Sequence, residues 1–351
     1  MSLGVPSALS VRPGETPSAL PRAIGELEPP LSVAESRSTQ SYPLTLFVTV
    51  DVEDSYFDRP ILMTGDGIGR EFGVFGILDE LDVRRLRGTF FVNVYEADRQ
   101  PAGVVRSVVQ EIAARGHEVG LHAHPSPTMD TYQKPLFRLS QESQAEVLRH
   151  GVDLIAHWTG TPPTSFRAGG YALNDDTFAA LEDVGIAVDS SCFFPSPNNH
   201  NTRLTVNAVA MAGSVIEVPV TTVLRLNGDE RLEARKLDID WLSVDALAAT
   251  LDALVGQGVD FAMFMMHSFS FIEKLTRMPD DPPSSRARFT SKIDSDRYVE
   301  VYGPKPSMRT AFGEFLDHVA GTPDLQVRTL RDALPDLSMA SSPADIVPVV
   351  R

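Results

Sequence analysis

From Leu44 onward the chain alternates short, almost continuously apolar runs with stretches of helical periodicity, and nothing else in the sequence constrains the fold as strongly. Leu44-Thr45-Leu46-Phe47-Val48-Thr49-Val50 is apolar or β-branched throughout, as a strand covered on both faces must be. The periodicity predicts a helix over 74–86, a strand over 89–94, a helix over 103–114 stopped by Gly116, and a strand over 117–123. A long helix over 141–158, a short strand over 165–168 and a helix over 174–184 follow; Asn174 is placed to cap that helix, with Asp175 and Asp176 in its first turn. Strands over 186–189 and 215–220, a helix over 244–255, a very apolar strand over 261–266, a helix over 308–319 and a strand over 325–330 complete the pattern. Such alternation specifies a parallel sheet with helices outside it, and the number of strands favours a barrel over an open sheet.

Two regions break the pattern. Residues 1–43 are proline-rich, with Pro13, Pro17, Pro21, Pro29 and Pro30, and read as a tail or an irregular wrap. Residues 273–306 carry Pro279, Pro282, Pro283, Pro304 and Pro306 among many charges, and read as an insertion loop that forms a lid or rim. One domain is therefore expected over 44–338, with a short C-terminal tail over 339–351.

Composition narrows the function. The net charge of −16 repels phosphate backbones, so nucleic acid is not an expected partner. No apolar run approaches the roughly 18 residues of a membrane span. No basic-then-apolar leader is visible either, so a cytoplasmic location is expected. The single cysteine, Cys192, excludes an intrachain disulfide and a cysteine-rich metal site; without a base beside it, it reads as a small buried hydrophobe. Any metal must be held by His, Asp or Glu.

In a parallel barrel, chemistry gathers at the C-terminal ends of strands. The first strand ends Asp51-Val52-Glu53-Asp54, and strand parity puts Asp51 and Glu53 on one face. Two carboxylates on one face repel unless a cation or proton separates them, although acidic residues at a strand end can also simply begin a solvated loop. The third strand ends His122-Ala123-His124-Pro125, which places two imidazoles on one face. Two histidines and a carboxylate leave open positions on a catalytic metal; the plainer reading is a pair of half-exposed histidines. Arg167, ahead of Gly169-Gly170-Tyr171, can clamp a carboxylate or sit in a structural ion pair. His267 closes an apolar strand, where it faces a barrel site or caps the core. His117 has the opposite parity to His122 and reads as packed. His150, His157 and His318 read as helix surface or packing residues, and His200 as a possible rim residue.

Taken in order, Thr49–Asp54, Gly116–His122, Phe166–Tyr171, Val188–Ser191 and Met266–Ser268 resemble the motifs of the polysaccharide deacetylase family (NodB-homology, carbohydrate esterase family 4). The resemblance spans most of 44–330, and Thr89-Phe90-Phe91-Val92 resembles the family's second strand. It implies an irregular (β/α)7 barrel and metal-dependent removal of acetyl groups from a glycan, most simply N-deacetylation of a carbohydrate or surface-polysaccharide precursor. One divalent metal, zinc above all, is the implied cofactor. Asp51 matches the base, Arg167 its partner and His267 the general acid. The carboxylate ligand falls on Glu53 or Asp54, and strand parity favours Glu53. His122 matches the first metal histidine. The usual second one, four residues on, is replaced by Ser126, and His124 stands in as a His-x-His-Pro variant; Gly169 replaces the usual proline after the arginine. Two other readings stay open: a metal-independent hydrolase of a small cyclic amide or ureide on this fold, and a non-catalytic glycan-binding module.

Overall fold

The computed structural model describes residues 43–54, 62–98, 100–125, 135–201, 206–226, 232–277, 289–293, 299–338 and 349–350. The N-terminal tail and most of the C-terminal one lie outside these. The parallel strands are β1 (Leu44–Val52), β2 (Thr89–Asn93), β3 (Glu118–Ala123), β4 (Ser165–Ala168), β5 (Val188–Asp189), β6 (Val215–Glu217), β7 (Phe261–His267) and β8 (Leu325–Val327). They run in the order β7-β1-β2-β3-β4-β5-β6. β8 shares the edge of β1 used by β2, pairing with Leu44–Leu46 before β2 takes over at Thr49. Between β6 and β7 the ring is completed by single bonds instead of a ladder. Leu237 N–H donates to the Thr221 carbonyl at 2.9 Å, and Met265 N–H to the Leu237 carbonyl at 3.0 Å. This is the barrel that the alternation predicts, in the irregular (β/α) form that the family resemblance implies.

The helices fall close to their expected positions: α1 (Val74–Val83), α2 (Val104–Ala114), α3 (Gln141–Thr159), α4 (Asp175–Asp183), α5 (Val244–Gly256) and α6 (Pro306–Gly321). Gly116 follows α2 in the left-handed conformation, φ 78°, which glycine adopts without a Cβ clash. Asn174 caps α4 by accepting the Thr177 N–H at 3.1 Å, while the Thr177 hydroxyl accepts the Asn174 N–H at 3.0 Å. Among the described residues, no helix is long and apolar enough to cross a membrane.

Strand parity sorts the core. On β1, Leu46, Val48 and Val50 pack outward beneath the helices, while Phe47 faces the barrel lumen with Phe91, Val188, Ile216, Val218 and Met263. The lower end of the lumen is stoppered by a helix that the sequence reading did not include, α7 (Leu330–Leu337). Its Leu330, Ala333 and Leu337 enter this cluster, and Thr329 caps it. Pro335 hid it, because an interior proline argues against a helix; burial of one face outweighs that cost here.

The 273–306 segment also differs from expectation. Its described parts form a three-stranded antiparallel sheet, with Ile272–Arg277 and Phe289–Ile293 flanking Val299–Pro304. The β-branched and aromatic residues of Phe289–Ile293 and Val299–Tyr302 are a strand signal, and Pro279, Pro282 and Pro283 lie outside the described residues. Tyr302 seats this sheet against Ile68 and Phe72.

Candidate metal centre and catalytic cluster

The lumen turns polar above Met263. Thr49 and Asp51 continue the inward face of β1, and Arg167 on β4 crosses the barrel to meet them. Its guanidinium is fully buried. It donates to Asp51 Oδ1 at 2.7 Å, Thr49 Oγ1 at 3.0 Å, the Ser190 carbonyl at 3.0 Å and Ser190 Oγ at 3.1 Å. The face of Phe91 lies 4.4 Å from the guanidinium carbon. Such a buried cation is tolerated because its donors are matched and a carboxylate neutralises it. Burial opposes ionisation of Asp51, but Arg167, then His122 and His267, outweigh it and hold the carboxyl below its ordinary value. Arg167 takes Oδ1, and among the described residues no hydrogen-bond donor takes Oδ2.

One step higher, Glu53 is the hub of three imidazoles. Its Oε2 lies 2.9 Å from His124 Nε2 and 3.5 Å from His122 Nε2, and its Oε1 lies 3.8 Å from His267 Nε2. Burial disfavours the Glu53 carboxylate, yet His124 and His122 pull its pKa well down. Burial likewise opposes the charged form of His122, but Asp51 and Glu53 outweigh it and raise its pKa. His122 Nδ1 donates to the Arg167 carbonyl at 2.9 Å, which fixes the tautomer and leaves Nε2 facing Glu53. Exposure grades across the cluster. The side chains of Arg167 and His122 are sealed, at 0% and 2%, while His124 and His267 are 23% and 25% exposed. Water and substrate therefore have access from the His124–His267 side.

The donor set fits a divalent metal. One ligand atom each from Glu53, His122 and His124 lie within 4.8 Å of one another. Ligands at about 2.0–2.1 Å from a tetrahedral ion sit roughly 3.3–3.5 Å apart, so these groups need only small adjustments to converge on one. Asp54, the alternative carboxylate, is engaged elsewhere. It accepts the Met63 N–H at 2.6 Å and the Gln100 amide, and its own N–H donates to Glu96.

His124 owes its place to Gly169. A Cβ at position 169 would fall 2.4 Å from His124 Nε2 and 2.5 Å from its Cδ2, so any side chain there evicts the ring. The glycine in place of a proline and the His-x-His spacing are thus two halves of one arrangement. Gly169→Ala is expected to weaken divalent-metal affinity by on the order of 10–100-fold, as loss of a supporting contact does, with little change in Tm. Calorimetric zinc titration checks this, and unchanged affinity would show that the ring has another seat.

The remaining histidines stand apart. His117 is buried, its Nδ1 accepting the Gly88 N–H at 3.1 Å, and burial pushes its pKa down to about 4. His200 lies against Phe137 with its ring tilted, in a short strand at the surface, and His318 on α6 pairs with Asp252 on α5. Cys192 is buried, where desolvation raises its thiol pKa.

Several mouth residues have places that the sequence did not assign them, Ser190 and Tyr171 within the quoted motifs and the others outside them. Ser190 holds Arg167. Ser270 accepts the His267 N–H at 3.0 Å and donates to Asp240 at 2.6 Å. Tyr171, Phe193 and Trp241 cluster with Val220 and Met265 around a buried lysine, Lys236. The Asp238-x-Asp240 pair after Lys236 was the available signal, but its strand is too short and irregular to show parity.

Residues 59–188 match the profile of the polysaccharide deacetylase family. That stretch contains His122, His124 and Arg167 and stops short of Asp51, Glu53 and His267. Among solved structures, a Mycobacterium smegmatis protein assigned to the polysaccharide deacetylases superposes with a TM-score of 0.54 at 18% identity, covering 89% of this chain and 96% of that one. The chain has the polysaccharide deacetylase fold. A Pseudomonas aeruginosa PAO1 protein of the same assignment gives 0.50 at 12% identity, over 85% of this chain and 92% of that one. The PuuE allantoinase gives 0.51 at 13% identity, over 87% of this chain and 93% of that one. No curated protein sequence matches the chain.

Proposed function

We propose that the chain is a metal-dependent hydrolase that removes acetyl groups from the nitrogen of a carbohydrate. The observation that carries this reading is the adjacency of two units at one barrel mouth: the Asp51–Arg167 pair at 2.7 Å, and the Glu53–His122–His124 triangle. The family profile over 59–188 and the shared fold support it.

Glu53, His122 and His124 would hold the metal, which when bound supplies a Lewis acid for water and for the acyl carbonyl oxygen. Asp51 stays ionised because Arg167 faces it, and its Oδ2 is available to take a proton from the attacking water. A C–O bond then forms at the acyl carbon. His267 Nε2 gives a proton to the leaving nitrogen as the C–N bond breaks, releasing acetate and an amine. Arg167 neither moves nor reacts; its bonds to Thr49, Ser190 and Asp51 fix the base in place.

The fold shared with an allantoinase favours one second reading, hydrolysis of a small cyclic ureide. Acetate release from acetylated amino sugars by the zinc-loaded protein, run beside allantoin hydrolysis, separates the two. Acetate release alone supports the deacetylase; ring opening alone replaces it. Inactivity on both, with glycan binding retained, would leave a binding module.

A further inference from the structure

Lys236 is 5% exposed, at the end of the Leu232–Lys236 strand. A buried ammonium is costly unless its charge and its three N–H groups are matched. Among the described residues, its one ionic partner is Asp238, at 3.2 Å, and that carboxylate also accepts the Asp240 N–H at 2.8 Å. Two aromatic rings flank it: the Trp241 ring lies 4.8 Å away and the Tyr171 ring 5.5 Å. Both rings belong to the apolar group with Phe193, Val220 and Met265 that lines the mouth above Arg167. Burial opposes the charged form of Lys236, but Tyr171 and Asp238, and to a smaller extent Asp51, outweigh it and raise its pKa. Tyr171 has a left-handed backbone, φ 58°, a conformation unfavourable for a non-glycine residue that clusters at ligand clamps.

A cation with spare donors, walled by flat rings and beside the catalytic cluster, is built to receive an anion carried on a ring-shaped molecule. We propose that Lys236 is the anion contact of the substrate site, and that the acylated molecule bound there bears a carboxylate, as an N-acetylated amino-sugar uronate does. The inference rests on the hydrolase reading only in taking the mouth to be a substrate site. Trp241 and Tyr171 supply the faces on which the sugar ring stacks, and Lys236 selects the acid over its neutral counterpart.

The test compares 2-acetamido-2-deoxyglucuronic acid with N-acetylglucosamine, which differ in a carboxylate against a hydroxymethyl group. In calorimetric titrations of the full, zinc-loaded chain, the uronate is expected to bind about tenfold tighter or more, as a charge-assisted contact implies. Lys236→Met is expected to bring the two probes within about twofold of each other, and Lys236→Arg to keep part of the preference. Equal binding by the unaltered protein, binding of neither probe, or an undiminished preference in Lys236→Met overturns the proposal. The unaltered protein alone decides the first two, so a misfolded variant does not block the test. Acetate release without a uronate preference would remove this inference and leave the hydrolase; a uronate preference without acetate release would do the reverse.

Discussion

Asp51→Asn is expected to lower kcat by about 10²–10⁴-fold while leaving metal occupancy intact. The substitution preserves size and the contact with Arg167, because the amide oxygen can still accept from the guanidinium at the position of Oδ1. What is lost is the basic lone pair at Oδ2, the atom that no described donor occupies. Steady-state kinetics paired with metal analysis checks the result. Near-full activity would show that Asp51 is not the base. Loss of metal would make it a ligand and reassign the first strand's carboxylates.

Arg167→Ala is expected to be the most damaging single change to the fold of the cluster, destabilising the protein by about 3–5 kcal/mol. It leaves the buried Asp51 carboxylate without its cation, empties the volume under Phe91, and frees the Thr49 and Ser190 groups that the guanidinium satisfies. The pH effect has a definite sign. In the native protein the Asp51 pKa lies below 3.8, so the stability this pair contributes is present above that value and is lost as pH falls through the lowered one. Without Arg167, burial dominates and the Asp51 pKa rises, so the acid limb of the kcat–pH profile moves to higher pH. Urea unfolding near neutral pH measures the first effect, and the pH–rate profile of the residual folded protein the second. An unchanged midpoint would mean that the lumen refills or that Asp51 takes up a proton at no cost.

The barrel was legible because β1 and β7 are buried on both faces and their register follows from parity: Asp51 lies opposite His267, and His122 opposite Arg167. Parity also separated Glu53 from Asp54. Glu53 continues the inward face, whereas Asp54 turns to the Met63 and Gln100 side. The rest was hidden for physical reasons. The seat of His124 depends on an absent side chain 45 residues away, at Gly169, which no local pattern announces. α7 was masked by Pro335, since its stability comes from plugging the lumen and not from propensity. Lys236 ends a short antiparallel strand, opposite Thr222, in which Leu232-Glu233-Ala234-Arg235-Lys236 has none of the β-branched or aromatic residues that announce a strand.

The central claim is that Glu53, His122 and His124 hold one divalent metal beside the Asp51–Arg167 pair. Zinc stoichiometry and affinity, measured by calorimetry and elemental analysis on the intact protein and on His122→Ala, Glu53→Gln and Asp54→Asn, test it most directly. One zinc per chain is expected, lost in His122→Ala and strongly weakened in Glu53→Gln, but kept in Asp54→Asn. An intact protein that binds no divalent metal, or one that loses it with Asp54→Asn and keeps it with Glu53→Gln, would contradict the account.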